Sequence, residues 1–538
     1  MINTVWGSTD KPASSKRLAE LLSAETDLEG TLYIGYPIIG TPDGSFPMDA
    51  LLVSPTKGLV VFSVIEGKNL SGYTEAQDEG FNKMRAKLLQ HQSLISRRQL
   101  LVDVYTLTFA PAIAQLDGDD EHPLCNSDNL VATIAELEEL DSTVYPALVA
   151  VIQAISTLRR GRRKRELHDE HSQGTKIKAL EDSIANLDSQ QSAAVVETYD
   201  GVQRIRGLAG CGKTIVLALK VAYLHAKHRD WLIGVTFNTR SLKKQFENLI
   251  TTFVLEKANE EPDWEKIRIL NAWGAPGGKD RTGMYFEFCR DHGVEYSDFG
   301  PAKACFGSDK AFESVCDLAL QSAQQFVPKY DALLVDEAQD FAPNFLLLCY
   351  EYLKDPRRLV YAYDELQNLG NRSLPPVEDI FGKNADGTPR VIIHPPEIGK
   401  PKQDIILDTC YRNSRPVLST AHALGFGVYR HKGLVQIFEN KNLWFDIGYQ
   451  ENDGGDIEDG EIVALTRTPK SSPEFLEKHS TIDDLIRFEV FDGEGGRNLH
   501  RGHELPGPNA TLALGNFVTR LGDLPGLQSV YMHETGVA

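Results

Sequence analysis

Gly207-Leu-Ala-Gly-Cys-Gly-Lys213-Thr214 follows a short alternating run, Val202 to Arg206, and opens an apolar stretch with helical spacing, Ile215 to Ala226. A strand, a glycine loop and a helix in that order form a phosphate cradle. The glycines let successive backbone N–H groups curl around a polyphosphate, and the helix N-terminus adds partial positive charge. Gly207, Gly210 and Gly212 therefore read as the cradle, Lys213 as the cation for the β- and γ-phosphates, and Thr214 as a Mg2+ ligand. The stretch implies binding of ATP or a similar nucleoside triphosphate, on an α/β fold.

Further apolar runs extend that reading. Trp231 to Phe237, Ala332 to Val335 and Arg358 to Ala362 are spaced as buried strands separated by helices, which predicts a parallel sheet with helices on both faces. Residues 255–325 stand between the first and second of these as an insertion. The run Asp331-Ala-Leu-Leu-Val-Asp336-Glu337-Ala-Gln-Asp340 is an apolar strand ending in adjacent carboxylates. Asp336 would hold Mg2+, and Glu337 would orient and deprotonate the attacking water.

Asp336-Glu-Ala-Gln-Asp340 resembles motif II of superfamily 1 helicases of the UvrD/Rep type, and other motifs of that family follow in order. Leu187-Asp-Ser-Gln-Gln191 is similar to the Q motif, which implies that Gln191 reads the adenine edge. Thr236-Phe-Asn-Thr-Arg240 is similar to motif Ia, which implies contact with single-stranded DNA from the first lobe. Tyr363-Asp-Glu-Leu-Gln367 resembles motif III, making Gln367 a γ-phosphate sensor. Cys410-Tyr411-Arg412-Asn-Ser resembles motif IV, with Tyr411 stacked on the base and Arg412 as an arginine finger. The resemblance implies RecA-like P-loop lobes. Two later family motifs find no counterpart between Ile462 and Ala538, so the second lobe reads as incomplete.

Met48 to Val53 and Leu59 to Lys68 read as two strands joined by the tight turn Ser54-Pro-Thr-Lys-Gly58. Folding that hairpin brings Asp49 level with residues 63–65, and puts Glu66 and Lys68 on one side of their strand. Two carboxylates and a lysine at one end of a hairpin suit metal-dependent phosphodiester hydrolysis, with Asp49 and Glu66 as Mg2+ ligands and Lys68 orienting the nucleophile. The arrangement resembles the PD-(D/E)xK nuclease core, in particular the nuclease-related domain NERD. Glu20 is a candidate further acid. A helix over 82–102 would carry Arg97 and Arg98 toward phosphates.

The domain reading is 1–157 nuclease-like, 158–180 basic linker, 181–400 first RecA-like lobe, 401–492 partial second lobe, and 493–538 glycine-rich tail. The 538 residues are 41% hydrophobic and 25% charged, an ordinary globular composition. A net charge of −20 counts against wholesale coating of nucleic acid but leaves room for a local basic groove. No apolar run has the length of a membrane span, and seven cysteines without a C-x-x-C pair argue for a reduced, cytoplasmic protein. Together these readings imply an ATP-dependent DNA nuclease or helicase-like enzyme, in DNA repair or antiviral defence, using ATP and Mg2+. The alternative is a nucleotide-gated DNA-binding switch that works with a protein partner or a second copy.

Overall fold

The N-terminal strands form because their apolar residues have two faces to bury. Ala50–Ser54 is buried at every position, and Gly58–Val64 at all but one, as expected of strands inside a covered sheet. The structure, a computed structural model, describes residues 2–153, 187–426, 443–451 and 465–472. Short interruptions fall at 8, 36–37, 42–43, 98, 115, 117–120, 259, 279–280, 365, 367–373, 398 and 469. The expected linker and tail, Arg98 and Gln367 lie outside the described residues.

Within these, the chain divides into two compact units. The first holds 2–153, 187–207 and 212–407; the second holds 208–211 with the described residues from 408 onward. The architecture is α/β.

The first unit contains two six-stranded sheets. One runs in chain order: β1 (Ile2–Trp6), β2 (Gly30–Ile34), β3 (Ala50–Ser54), β4 (Gly58–Val64), β5 (Val104–Phe109) and β6 (Leu124–Cys125). Its middle is the antiparallel hairpin of β3 and β4, and the outer pairs β1–β2, β4–β5 and β5–β6 are parallel. Helix α1 (Pro12–Ala24) starts with proline at its first position and buries Ser15, Leu18, Ala19 and Leu22, one stripe at helical spacing. That stripe packs with Leu32, Leu52, Val60 and Phe62 in one core.

The hairpin departs from expectation at its end. β4 stops at Val64: the Ile65 amide makes the last bond to β5, at Phe109 O, and Gly67 then turns the chain away with a left-handed φ of +88°. Glu66 and Lys68 therefore follow the strand as exposed residues and do not share a strand face. The expected helix over 82–102 is also displaced. α2 spans Tyr73–Leu89, and Arg97 sits with φ +48° in the turn of a small hairpin, Ile95–Ser96 with Gln99–Leu100.

The second sheet is parallel throughout, in the order β9–β8–β10–β11–β7–β12. These strands are β7 (Val202–Gly207), β8 (Ile233–Phe237), β9 (Ile267–Asn271), β10 (Tyr330–Val335), β11 (Leu353–Tyr363) and β12 (Asp404–Leu407). β9 lies inside the expected insertion and is an edge strand of this sheet. β12, expected to begin the second lobe, is its other edge. Arg206 grips Asp404 with Nε at 3.0 Å and Nη2 at 2.9 Å, and Arg204 adds a contact at 2.8 Å. A bidentate guanidinium–carboxylate pair is the strong, directional kind, and it fixes β12 beside β7.

Before β7, α3 (Ser189–Val196) opens on a capping box in which the Asp188 and Gln191 side chains each accept the other's amide. After β7, α4 (Lys213–Lys227) is buried along nearly its whole length. The second unit contains helix α5 (Arg415–Phe426) and the antiparallel pair β13 (Tyr449–Glu451) and β14 (Leu465–Arg467). Arg467 is buried there and donates to Ser472 Oγ, Ser471 O, Asp408 O and Ile447 O. Among the described residues no helix is long and apolar enough to cross a membrane, and all seven cysteines are free.

Candidate functional site

Ligands of parallel α/β sheets gather outside the carboxyl ends of the strands. Here those ends carry Gly207 on β7, Asp336 after β10 and Asp364 after β11. β11 lies between β7 and β10, so with neighbouring strands about 4.8 Å apart the loop strand and the Asp336 strand are about 10 Å apart. Thr214, at the start of α4, donates its hydroxyl to Asp336 Oδ2 at 2.8 Å.

Lys213 is 6% exposed. Its ammonium donates to Gly207 O at 2.8 Å and lies 3.9 Å from Asp364 Oδ2. The cation assigned to phosphate thus rests on its own loop and on a carboxylate from the intervening strand. Gly212 has φ +90°, and a Cβ there would come 2.7 Å from Gln191 Nε2. The positive φ selects glycine, and a side chain there would also push the Gln191 amide aside. Gln191 Oε1 accepts the Asp188 amide in the capping box, so Nε2 is the end that faces the loop.

Asp336 is fully buried, and burial, then the neighbouring Glu337 charge, push its carboxyl up to about 6. Thr214 and Lys213 act in the opposite direction. Glu337 adopts φ +50° and donates its amide to Asp336 Oδ1 at 3.0 Å. A non-glycine residue in that region is a strained conformation of the kind that clusters at functional sites. Gln339 Nε2 donates to Glu337 Oε2 at 2.7 Å, while Gln339 Oε1 accepts the Asp364 amide at 3.1 Å. Gln339 therefore links the ends of β10 and β11. Neither it nor Asp364 was singled out by sequence reasoning, although both stand inside the quoted motifs.

The chemistry of the donors fits Mg2+: a hydroxyl and a carboxylate oxygen, both hard, set side by side. In the second unit, Tyr411 N donates to Gly210 O at 3.1 Å, and Cys410 Sγ donates to Ala209 O. A Cβ on Gly210, whose φ is +89°, would come 2.5 Å from Arg412 Cβ. Arg412 itself is exposed, as is Arg240 in the first unit.

The N-terminal centre is built differently. Asp49 does reach the far strand, accepting the Val64 amide on Oδ2 at 2.8 Å. The same oxygen is 2.7 Å from Lys11 Nζ. Glu66 accepts the Ala13 amide on Oε1 at 3.1 Å and the Ser14 amide on Oε2 at 2.9 Å, capping the first turn of α1. Its slight burial raises the carboxyl, but those amides, the Ser14 hydroxyl and Lys11 outweigh this and hold it below its usual range. Glu20 is half-exposed and lies 3.8 Å from Arg17. Among the described residues no group of three or more acids, histidines or cysteines could hold a metal ion. Lys11 already stands on Asp49 Oδ2, and two helix amides stand on Glu66. Sequence reasoning missed Lys11, for which no motif gives a signal.

No protein-family model matches this chain, and comparison with curated proteins gives no match.

Proposed function

We propose that this chain is a nucleoside-triphosphate hydrolase of the UvrD/Rep superfamily 1 class, with a RecA-like first lobe, that acts on DNA. One observation carries the reading. The Thr214 hydroxyl and the Asp336 carboxylate meet at 2.8 Å beside a buried lysine, at the carboxyl ends of a parallel sheet. Mg2+ held by Thr214 and Asp336 would neutralise phosphate charge. Lys213 would exchange the Gly207 carbonyl for the β- and γ-phosphates. Glu337, oriented by Gln339, would take the proton of the attacking water. Arg412 is the candidate arginine finger, and Asn238 to Arg240, following β8, are the candidate contact with single-stranded DNA.

The N-terminal domain, with its hairpin and the Asp49–Glu66 pair, is read as NERD-like and as the candidate DNA-cleaving part. The Lys11 contact on Asp49 favours a second reading beside it, a nucleotide-gated DNA-binding switch whose hydrolysis is not followed by cutting. The test is phosphate release from ATP with Mg2+, with and without single-stranded DNA, for wild type and Lys213→Ala. DNA-stimulated release lost in the variant supports the proposal. Release that survives in Lys213→Ala overturns it.

A further inference from the structure

The two carboxylates that sequence reasoning assigned to a metal are both engaged by the segment that leads into α1. Lys11 immediately precedes the helix, and its ammonium lies 2.7 Å from Asp49 Oδ2. Ala13 and Ser14, two and three residues on, give their amides to the two oxygens of Glu66. Ser14 Oγ donates to Ile65 O at 2.8 Å, so the first turn of α1 is bonded to the carboxylate and to the backbone just before it. The Val64 amide fixes Asp49 from the strand side.

A Mg2+ ligated by Asp49 would stand about 2.1 Å from a carboxylate oxygen. An ammonium at 2.7 Å from that same oxygen fills the same volume and carries positive charge into it. At Oδ2 the two cations compete for one position. Each Glu66 oxygen already accepts one amide of the first turn of α1, so a metal that drew the carboxylate away from the helix would uncap it, which is itself unfavourable. Lys68, the expected third member, is exposed beyond the end of β4.

We propose that Lys11 is the resident cation of this centre: its ammonium takes the position that a divalent ion would take at Asp49 and keeps the centre closed to metal. The inference rests on the reading of Asp49 and Glu66 as a nuclease-type pair, and goes beyond it by naming what stands in the metal's place. Metal-dependent chemistry at this end of the hairpin then requires Lys11 to leave Asp49. A displacement of the first turn of α1 would release Lys11 and Glu66 together, since Ala13 and Ser14 follow it directly.

The experiment uses the full chain in an Asp336→Asn background, which removes the divalent site at the triphosphate loop. Mn2+ binding is followed by the paramagnetic resonance signal of the free ion. With Lys11 present, no Mn2+ site sensitive to Asp49→Asn is expected. Lys11→Met should bind Mn2+ about tenfold more tightly or better, the scale of one charge-assisted hydrogen bond removed from competition. Adding Asp49→Asn should abolish that gain, and Lys11→Arg should behave as the parent. A parent protein that already binds Mn2+ at a site lost in Asp49→Asn overturns the inference, and this arm holds even if Lys11→Met fails to fold. So does a folded Lys11→Met with no gain.

DNA cleavage with ATP and Mn2+, by the same Lys11 and Asp49 variants with Asp336 restored, separates the two ideas. Lys11→Met that gains Mn2+ but cuts neither single- nor double-stranded DNA leaves Lys11 as the resident cation and removes the nuclease reading. Cutting by the parent that depends on Asp49, with no Mn2+ gain in Lys11→Met, does the reverse.

Discussion

The chain carries two pairs of carboxylates at strand ends, and their surroundings make opposite electrostatic demands. Asp336 is withdrawn from water, so its charged form is penalised and its carboxyl is pushed up to about 6. A cation arriving there relieves a cost already present. Glu66 is exposed, and backbone amides and Lys11 already stabilise its charged form. A cation arriving there must displace those partners. The same residue types thus make one centre that gains from metal and one that is complete without it. Motif reading sees residue types; it does not see whether a carboxylate's charge has already been answered.

The comparison breaks most visibly at Glu337. Its replacement by Gln keeps the shape and the Gln339 contact but removes the base, and should slow phosphate release by about 10²–10⁴-fold while nucleotide still binds. Rapid-quench hydrolysis beside fluorescent-nucleotide binding gives both numbers. Hydrolysis within tenfold of wild type would mean that some other group takes the proton. Lys213→Ala comes next, at about 10²–10³-fold, because one preorganised cation is lost from the phosphate cradle. It should weaken binding as well, which distinguishes it from Glu337→Gln.

A smaller effect follows from the Asp336 environment and carries a definite sign. Its folded-state value of about 6 lies above the ordinary carboxylate value. The ligand-free fold therefore keeps this group's contribution to stability at pH below about 4 and loses it as pH rises through 6. Mg2+–nucleotide binding runs the other way, since only the ionised carboxylate ligates metal. Between pH 7 and pH 5 the affinity should drop about tenfold, and Asp336→Asn should remove the slope. Calorimetric titration with a non-hydrolysable nucleotide across that range decides it. A slope unchanged in Asp336→Asn would assign the titration elsewhere.

Much of the fold was legible because the signals were local. The loop Gly207 to Thr214 sits between a strand and a helix, as its spacing implied, and the apolar runs became neighbouring parallel strands. The level of Asp49 with Val64 followed from turn geometry alone. What escaped depended on non-local pairing. β12 joined the parallel sheet because Arg204 and Arg206 reach Asp404 across about two hundred residues of chain. β9 was hidden inside an apparent insertion, since a short edge strand is hard to tell from loop by periodicity. Arg97 came to sit in a turn because the predicted helix ended early, at Leu89. Lys11 was unreadable for the same physical reason. Its partner is 38 residues away, and nothing in the intervening sequence marks the contact.

The smallest predicted effects separate a cap from a catalytic group within the N-terminal centre. If Glu66 works chiefly as the acceptor for the first turn of α1, Glu66→Gln keeps one carbonyl oxygen for an amide but loses the charge at the helix N-terminus. The cost should be about 0.5–1 kcal/mol, the lower part of the range for capping groups because the site is exposed and screened. Lys68, beyond the strand and exposed, should cost less than about 0.5 kcal/mol when changed to Ala. Chemical denaturation of the two variants ranks them, and the order matters more than the values. A metal-centre role predicts the opposite pattern: removing one member of a carboxylate pair that repels itself without its cation would stabilise the metal-free protein. A Glu66→Gln protein more stable than wild type in the absence of divalent ions would therefore count against the cap, and against Lys11 as sufficient answer to the charge of the pair.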